Sequence, residues 1–286
     1  MRINTNIASM TAQENSTNVN KNLSSSLEKL SSGLRINKAS DDASGMAIAD
    51  KLRTQASGIT QGIANANSAN TFIQIADKAM AEQSNILDIV KTKLLQAATS
   101  TTSTDGRTAI AKDISALLKQ FDLISTNTNY NGTTLLNGDN FSFQIGESST
   151  EVVSVTTSKA VTTGSIASTS VGTSGFSLGS LKTGFASGTS FSATKANGSM
   201  DAIDLALTNL NIVRSEFGSG QNQVESALRN MMTTQTNIKA AESIIRDVDY
   251  AAESANFNKQ NIIAQAGTYA MSQANAVQQN VMRLLQ

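Results

Sequence analysis

The C-terminal segment that decides the fold reads IIAQAGTYAMSQANAVQQNVMRLL (Ile262–Leu285). Its apolar and small residues recur in alternating steps of four and three, at Ile263, Gly267, Ala270, Ala274, Val277, Val281 and Leu284. Near the other end of the chain the same steps join Leu23, Leu27, Leu30 and Leu34. This spacing is typical of coiled-coil seams. Because one helix cannot bury such a stripe alone, we expect the two ends to pack on each other or on neighbouring molecules.

The rest of the chain is predicted to be mainly helical. We expect a helix at about residues 4–32, a linker at 34–42, a long helix at about 43–99 and a shorter helix at about 107–127. The long helix would measure roughly 85 Å, because each residue adds 1.5 Å. A helix of that length needs partners along it.

The middle of the chain carries turn and strand signals. Asn131-Gly132 and Asn137-Gly138 flank short apolar segments, followed by Phe141–Ile145 with alternating apolar residues, which predicts a β-hairpin. Residues 146–199 are rich in Ser, Thr and Gly, and favour either small β structure or a loop. Apolar residues at helical spacing recur from near Ser199 to Gln286. This pattern predicts helix over that range, either continuous or interrupted by one break. The first and last segments would then run antiparallel.

The composition excludes several classes of function. The chain of 286 residues has no Cys, His or Pro, and 22 basic residues balance 22 acidic ones. Without Cys and His, thiolate chemistry, zinc proteases and the usual general base are absent. Balanced charge and three scattered tyrosines give no basis for nucleic-acid binding. No apolar run approaches a membrane span, and the first ten residues lack the apolar region of a secretory leader.

Two clusters of charged residues resemble possible ion sites. Asp41-Asp42 lacks the ligand count of a calcium loop, so helix capping is the better interpretation. Arg246, Asp247 and Asp249 are interpreted as salt bridges on a helix face. We therefore predict no enzyme activity, no cofactor and no metal.

Two segments carry a specific family resemblance. LSSGLRINKASDDASGMAIADKLRTQASG (Leu30–Gly58) and the segment from Arg246 to Gln286, which begins RDVDYAAESANFNKQ, closely resemble the terminal regions of bacterial flagellin. The opening MRINTNIASM and NYNGTTLLNG (Asn129–Gly138) resemble the start of that family and its hairpin entry. The resemblance covers roughly residues 1–145 and 200–286. It does not cover the tract between them, which varies within the family.

The resemblance implies a fold and a domain organisation. It implies a mainly α protein, a long antiparallel coiled-coil rod closed by both termini, with a β-hairpin and a small Ser/Thr/Gly-rich insert. Residues 1–42 and 246–286 would form an inner polymerisation domain, and residues 43–145 and 200–245 a helical second domain. Residues 146–199 would be a small variable surface insert that is dispensable for polymerisation. Relatives often have Pro near Gln278, so here the last helix should continue unkinked.

The implied function is a structural subunit of the extracellular flagellar filament, which serves swimming. Its partners would be copies of itself, the export apparatus and a chaperone, and the cap and hook–filament junction proteins, with no nucleic acid and no membrane insertion. Export would occur without a cleaved signal peptide. The alternatives are the junction protein itself and a secreted helical translocator.

Residue by residue, the resemblance and the spacing predict four sets of positions. The linker and helix caps would use Arg35, Asp41 and Asp42. The subunit-packing residues would be Ile3, Ile7, Leu23, Leu27, Leu30, Leu34, Ile263, Ala270, Ala274, Val277, Val281 and Leu284. The hydroxyls that are candidates for O-linked glycans are those of Ser158, Thr162, Ser168 and Ser170. The positions expected to weaken recognition by the flagellin-sensing Toll-like receptor of animals are Ile89, Lys93 and Asp113.

Overall fold

Five helices account for most of the described chain. The computed structural model describes residues 5–166, 178–179, 182–183 and 192–284, without the side chains of Gln278 and residues 281–284. The helices are α1 (Ile7–Ser32), α2 (Ala43–Ala98), α3 (Thr104–Asn127), α4 (Ala193–Arg246) and α5 (Tyr250–Leu284). The mainly helical fold class is confirmed. The break left open in the C-terminal half falls at residues 247–249, between α4 and α5.

Two small antiparallel hairpins follow α3. The first pairs β1 (Asn129–Tyr130) with β2 (Thr133–Thr134), and the second pairs β3 (Phe141–Gln144) with β4 (Val152–Val155). Asn131 and Gly132 form the first turn with φ of 51° and 83°. A positive φ at two successive turn residues is the backbone that Asn-Gly supplies at low cost. The predicted turn at Asn131-Gly132 is therefore confirmed.

The chain divides into two compact units. Unit 1 comprises residues 1–57 and 235–286, and unit 2 comprises residues 58–234. The unit boundaries lie inside α2 and α4, whereas the predicted boundaries near 42 and 246 coincide with interruptions between helices.

Unit 2 has a continuous apolar core. The largest side chains in it are fully buried and come from three helices and the hairpin region: Ile73, Met80, Leu87, Leu94, Ile114, Leu118, Phe121, Leu135, Leu136 and Phe217. The ring of Phe72 in α2 packs edge-on against Tyr130, Phe141 and Phe143, with centroids 4.7–5.9 Å apart. These aromatic contacts hold both hairpins against α2.

Polar contacts also link the helices of unit 2. Arg214 Nε donates to Asp77 Oδ1 at 3.0 Å, joining α4 to α2. The buried amide of Gln83 donates to the Phe121 carbonyl at 3.0 Å, joining α2 to α3. This bond satisfies the amide nitrogen of Gln83, whereas its buried Oε1 has no hydrogen-bond partner among the described residues.

Part of the Ser/Thr/Gly tract belongs to the core of unit 2. Val155, Val161 and Ile166 are buried in the same apolar cluster as the helices, and so is Leu178. The expectation of a surface insert is wrong for these residues, because their side chains are buried in the apolar core. Local composition hid them, since isolated apolar residues among Ser, Thr and Gly give no periodic signal.

Candidate functional site

In unit 1, α1 and α5 form an antiparallel pair. Asn6, which caps α1, donates its side-chain Nδ2 to the Ala274 carbonyl at 3.1 Å. At the opposite end, Leu34 pairs with Asp247 in an isolated antiparallel bridge. The expected antiparallel course of the first and last segments is confirmed.

The residues between these two helices differ from the predicted stripe. Along α1 the buried or partly buried positions recur at Ser9, Ala12, Ser16, Val19, Leu23, Ser26 and Leu30. Along α5 the partly buried positions include Ser254, Phe257, Asn261, Ala264, Gly267, Met271 and Ala274. The alternating steps of three and four were predicted, but Leu27 is not in this seam. The leucine spacing predicted Leu27 as a seam residue, whereas the structure buries Ser26.

Many apolar side chains of this pair remain exposed. Leu27 keeps 50% of its surface, Val277 keeps 52% and Tyr269 keeps 74%. Ile263 is at the margin with 39%, and Ile7, Met10 and Ile262 are more exposed still. Exposed large apolar residues that cluster on an element mark contact surfaces more often than single ones do. We call these residues, Ile7, Met10, Leu27, Ile262, Ile263, Tyr269 and Val277, the outward apolar face; on α1 they lie on more than one side of the helix, because Leu27 is about 160° around the axis from Ile7.

The predicted packing residues therefore fall into three groups. Leu23, Leu30, Leu34 and Ala274 are partly buried in unit 1. Ile7, Leu27, Ile263, Ala270 and Val277 are exposed. Ile3 and the side chains of Val281 and Leu284 lie outside the described residues. As predicted, α5 continues without interruption through Gln278.

The linker between α1 and α2 is held by its own polar groups. Asp41 Oδ2 accepts from the backbone N–H groups of Lys38 and Asn37 at 3.0 and 3.1 Å. These hydrogen bonds, with the Lys38 bond first, lower the pKa of the Asp41 carboxyl below its usual value of 3.8. Lys38 Nζ lies 2.6 Å from Glu28 Oε2, and this hydrogen bond and charge raise the pKa of Lys38.

Asp42 and Arg35 act at helix ends. Asp42 Oδ1 accepts from the Gly45 N–H at 2.9 Å, which satisfies a free donor in the first turn of α2. Arg35 Nη2 donates to the Ile245 carbonyl at 2.7 Å, in the last turn of α4. A cation there complements the negative end of the helix dipole.

The acidic residues after α4 accept hydrogen bonds, and no ion pair of either is seen among the described residues. Asp249 Oδ1 accepts from the N–H groups of Ala251 and Ala252, which begins α5. Asp247 accepts from the Ser243 hydroxyl. Only Arg246 forms an ion pair, 3.7 Å from Asp50. The salt-bridge interpretation is therefore wrong for the two aspartates, because the break between helices placed them at helix ends.

Polar side chains also bind the tract to α3 and α4. The Asp122 carboxylate accepts from the Thr163 N–H and hydroxyl, each at 2.8 Å, and pairs with Lys182. Asn209 Nδ2 donates to the Ile166 carbonyl at 2.6 Å. Of the glycan candidates, Ser158 is exposed and Thr162 is half-buried. Ser168 and Ser170 lie outside the described residues.

The receptor positions lie on the surface of unit 2. Ile89 is 46% exposed on α2. Lys93 Nζ lies 3.0 Å from Asp113 Oδ2, so the carboxylate on α3 already has a cationic partner. The neighbouring Lys91 pairs with Asp204 of α4.

Within the described ranges, no group of three or more His, Cys, Asp and Glu side chains could hold a metal ion. Among the helices that the structure describes, none is both long and apolar enough to cross a membrane.

Comparisons with known proteins agree on one family. The model of the bacterial flagellin N-terminal helical region matches residues 3–141, and that of the C-terminal helical region matches residues 200–285. The flagellin of Bacillus subtilis strain 168 is 35% identical over 310 residues, covering 100% of both chains. The flagellar filament 33 kDa core protein of Treponema phagedenis is 34% identical over 287 residues, again covering 100% of both.

A solved structure supports the fold. A protein of Vibrio parahaemolyticus whose name assigns it to the flagellar hook-associated proteins superposes with a TM-score of 0.59, covering 72% of this chain and 99% of the other. Its sequence is only 14% identical, so it bears on fold alone. Two family models that together span most of the chain, and relatives identical at more than 30% over their whole length, show that this chain belongs to the bacterial flagellin family.

Proposed function

We propose that this chain is a structural subunit that polymerises with copies of itself into an extracellular bacterial flagellar filament for swimming. The observation that carries the proposal is the outward apolar face of α1 and α5, which stays exposed in the single chain. The full-length relatives named as flagellin and as a flagellar filament core protein support it.

The physical argument for self-assembly is the unburied apolar area. Each square ångström of apolar surface removed from water contributes about 25 cal/mol. The α1/α5 pair buries few large side chains between its own helices, so most of its available stabilisation must come from neighbours. A face that meets a different face on the next copy generates an open helical filament when the rotation between copies does not close a ring.

The runner-up is a hook–filament junction protein, which would share the same architecture. The Vibrio parahaemolyticus structure is compatible with that, but its low identity gives no support for function. Relatives at 34–35% identity over the whole chain favour the filament subunit. No observation favours an enzyme or a membrane-inserting translocator.

We infer further partners from the same assembly. Subunits of an extracellular filament require an export apparatus and a chaperone that keeps the outward apolar face from aggregating, and a cap and a junction protein at the two ends. The lack of Cys and Pro supports passage and refolding without disulfide exchange or slow prolyl isomerisation.

The test compares two charge insertions. Leu27→Asp places a carboxylate on the outward apolar face, and Asn222→Asp places the same charge on an exposed polar position of α4 in unit 2. We expect Leu27→Asp to retain the monomer's helical circular dichroism but to form no filaments in sedimentation and electron microscopy, whereas Asn222→Asp assembles. Normal filaments from Leu27→Asp would overturn the proposed surface.

We also propose that the tract carries O-linked glycans. Ser158 supports this best because it is exposed beside the ordered part of the tract, whereas Thr157 and Thr163 donate their hydroxyls inward. Intact-mass spectrometry of native filaments should then show excess mass that maps to residues 146–199. An unmodified mass would end this proposal.

Finally, we propose that the monomer activates the animal flagellin receptor weakly. Ile89 cannot supply the directional donors of an arginine, and Lys93 competes with a receptor cation for the Asp113 carboxylate. A reporter assay at matched concentration should give a much smaller response than a strongly recognised flagellin. An equal response would refute the proposal.

A further inference from the structure

The seam between α1 and α5 specifies its own axial register poorly. Four of its seven positions on α1 are Ser or Ala, namely Ser9, Ala12, Ser16 and Ser26. On α5, Ala264, Gly267 and Ala274 are equally small. Register in helix pairs comes from large knobs that fit particular holes or from polar residues with one partner. The larger seam residues, Val19, Leu23, Leu30, Phe257 and Met271, are only partly buried, so the seam has few knobs and none that is fully enclosed.

Specific polar contacts occur instead at the two ends of the pair. At one end, Asn6 uses both atoms of its amide: Oδ1 accepts from the Ser9 N–H at 3.1 Å and Nδ2 donates to the Ala274 carbonyl at 3.1 Å. The first bond caps α1, and the second joins that cap to one chosen carbonyl of α5.

At the other end, two backbone hydrogen bonds join the interruptions between helices. The Arg35 N–H donates to the Arg246 carbonyl at 2.6 Å, and the Val248 N–H donates to the Gly33 carbonyl at 3.0 Å. Gly33 has φ +74°, and a Cβ there would lie 2.8 Å from the Tyr250 hydroxyl. A side chain at this position would therefore be strained and would displace Tyr250.

Side chains reinforce this second contact. Arg35 Nη2 donates to the Ile245 carbonyl at 2.7 Å, so the N-terminal linker caps the end of α4. The Arg246 side chain is only 16% exposed and lies 3.7 Å from Asp50 Oδ1. These contacts join the linker between α1 and α2 to the interruption between α4 and α5.

The spacing between the two contacts is nearly the same on both segments. Position 6 to position 34 is 28 steps, and position 247 to position 274 is 27 steps. A difference of one step corresponds to an offset of about 1.5 Å in a helix, which is much less than the roughly 5.4 Å of one turn. Stepping inward by ten residues from Asn6 and from Ala274 places Ser16 beside Ala264, and both are partly buried seam positions.

We infer that the axial register of α1 on α5 is set by these two end contacts, through Asn6 and Arg35, and that the small-residue seam follows it. Asn6 and Arg35 are positioning residues for assembly, since a slip of one turn would shift the outward apolar face of α1 by about 5.4 Å against that of α5. Every copy in a helical polymer must present the same surface, so the inference rests on the proposed function.

The test uses disulfides as reporters of register, because the chain has no cysteine of its own. Ser16→Cys with Ala264→Cys reports the observed register. Ser16→Cys with Gly267→Cys reports a slip of about one turn, and a side chain at Gly267 meets no other atom within 4 Å. Disulfides need Cα atoms within about 7 Å, so each pair should form in only one register. Assembled filaments are oxidised, and intrachain products are identified by their monomeric mass.

The reporters are compared in two backgrounds. Asn6→Ala with Arg35→Ala removes side-chain contacts at both ends, and Asn15→Ala with Arg229→Ala removes exposed side chains of the same types. We expect the ratio of slipped to observed disulfide to rise roughly five- to tenfold in the first background only, the factor that losing one net hydrogen bond gives. If subunits of the first background assemble poorly, they are mixed as a minority with unaltered subunits, and their disulfide ratio is measured in the mixed filaments.

The outcomes separate the two proposals. An unchanged ratio in the Asn6→Ala, Arg35→Ala background would overturn the register inference and leave the filament function standing. Failure of the unaltered chain to form filaments would overturn the proposed function instead.

Discussion

The core of unit 2 and the α1/α5 pair of unit 1 are both built from long helices, but they use apolar residues in opposite ways. In unit 2, Phe121, Phe217 and Met80 have no exposed surface. In α1 the only buried residue is Ser26, while Ile7, Met10 and Leu27 remain exposed. Unit 2 therefore has a core of its own, whereas the α1/α5 pair presents apolar surface without one.

This difference indicates where stability and assembly are encoded. A core residue contributes through burial and through the cavity that its loss creates. An exposed apolar residue contributes little to a monomer and much to a contact that buries it. The two kinds of residue should therefore separate in experiments that measure unfolding and polymerisation independently.

The largest expected effect comes from removing either end. Deletion of residues 1–33 or 264–286 removes one member of the α1/α5 pair and its outward face, so we expect no filaments. The core of unit 2 is left untouched, and the truncated proteins should stay soluble with cooperative thermal unfolding. Sedimentation and circular dichroism measure the two properties.

Long filaments from either truncated protein would break the comparison, since unit 2 would then suffice for assembly. Loss of cooperative unfolding would also contradict the comparison, because the core of unit 2 would then depend on α1 or α5.

Next in size is the contrast between two large-to-small substitutions. Phe121→Ala should lower the free energy of unfolding of the monomer by about 3–5 kcal/mol, because it empties a fully buried aromatic site. Leu27→Ala should change it by less than about 0.5 kcal/mol, because half of that side chain already faces solvent. Urea unfolding followed by circular dichroism provides both values, and similar losses in the two variants would contradict the contrast.

The sequence predicted the helices well where apolar spacing was regular. The predicted long helix at 43–99 is α2 at Ala43–Ala98, and the first helix ends at Gly33 as expected. The register of the terminal pair was harder to predict. The leucines at 23, 27 and 30 form a stronger hydrophobic pattern than one that includes Ser26. The pattern therefore predicted Leu27 in the seam, although a helix contact can use the smaller Ser26.

The tract was the other region that sequence patterns missed. Ile166 is separated from other apolar residues by Ser, Thr and Gly, so neither helical nor strand spacing marks it as core. Its burial depends on contacts far away in sequence, such as the Asn209 amide that holds its carbonyl. Only tertiary structure brings those groups together.

A smaller effect is expected from the tract. Ile166→Ala should destabilise the monomer by about 2–4 kcal/mol, because the side chain is fully buried between helices. Ser158→Ala, an exposed neighbour in the same tract, should be close to neutral. Denaturant midpoints of the two variants measure this difference. Equal stability of Ile166→Ala and the unaltered chain would indicate that residues 152–166 act as a surface insert and not as part of the core.

The smallest predicted effect is a pH dependence of the linker in unit 1. Hydrogen bonds from the Lys38 and Asn37 N–H groups lower the pKa of Asp41, so the charged carboxylate stabilises the folded linker above the ordinary pKa of 3.8. This stabilisation is lost as the pH falls through the lowered pKa of the folded state. In Asp41→Asn the amide does not titrate, so the linker should be less stable at neutral pH. It should also lose less stability between about pH 4 and pH 2, the range in which a carboxyl with a lowered pKa becomes protonated. The effect should be modest because Asp41 is exposed.

The measurement is filament disassembly, followed by light scattering as the pH is lowered. The control is Asp88→Asn, which removes an exposed carboxylate of unit 2. Identical acid profiles for Asp41→Asn and the unaltered chain would show that the linker does not limit the stability of the assembled ends.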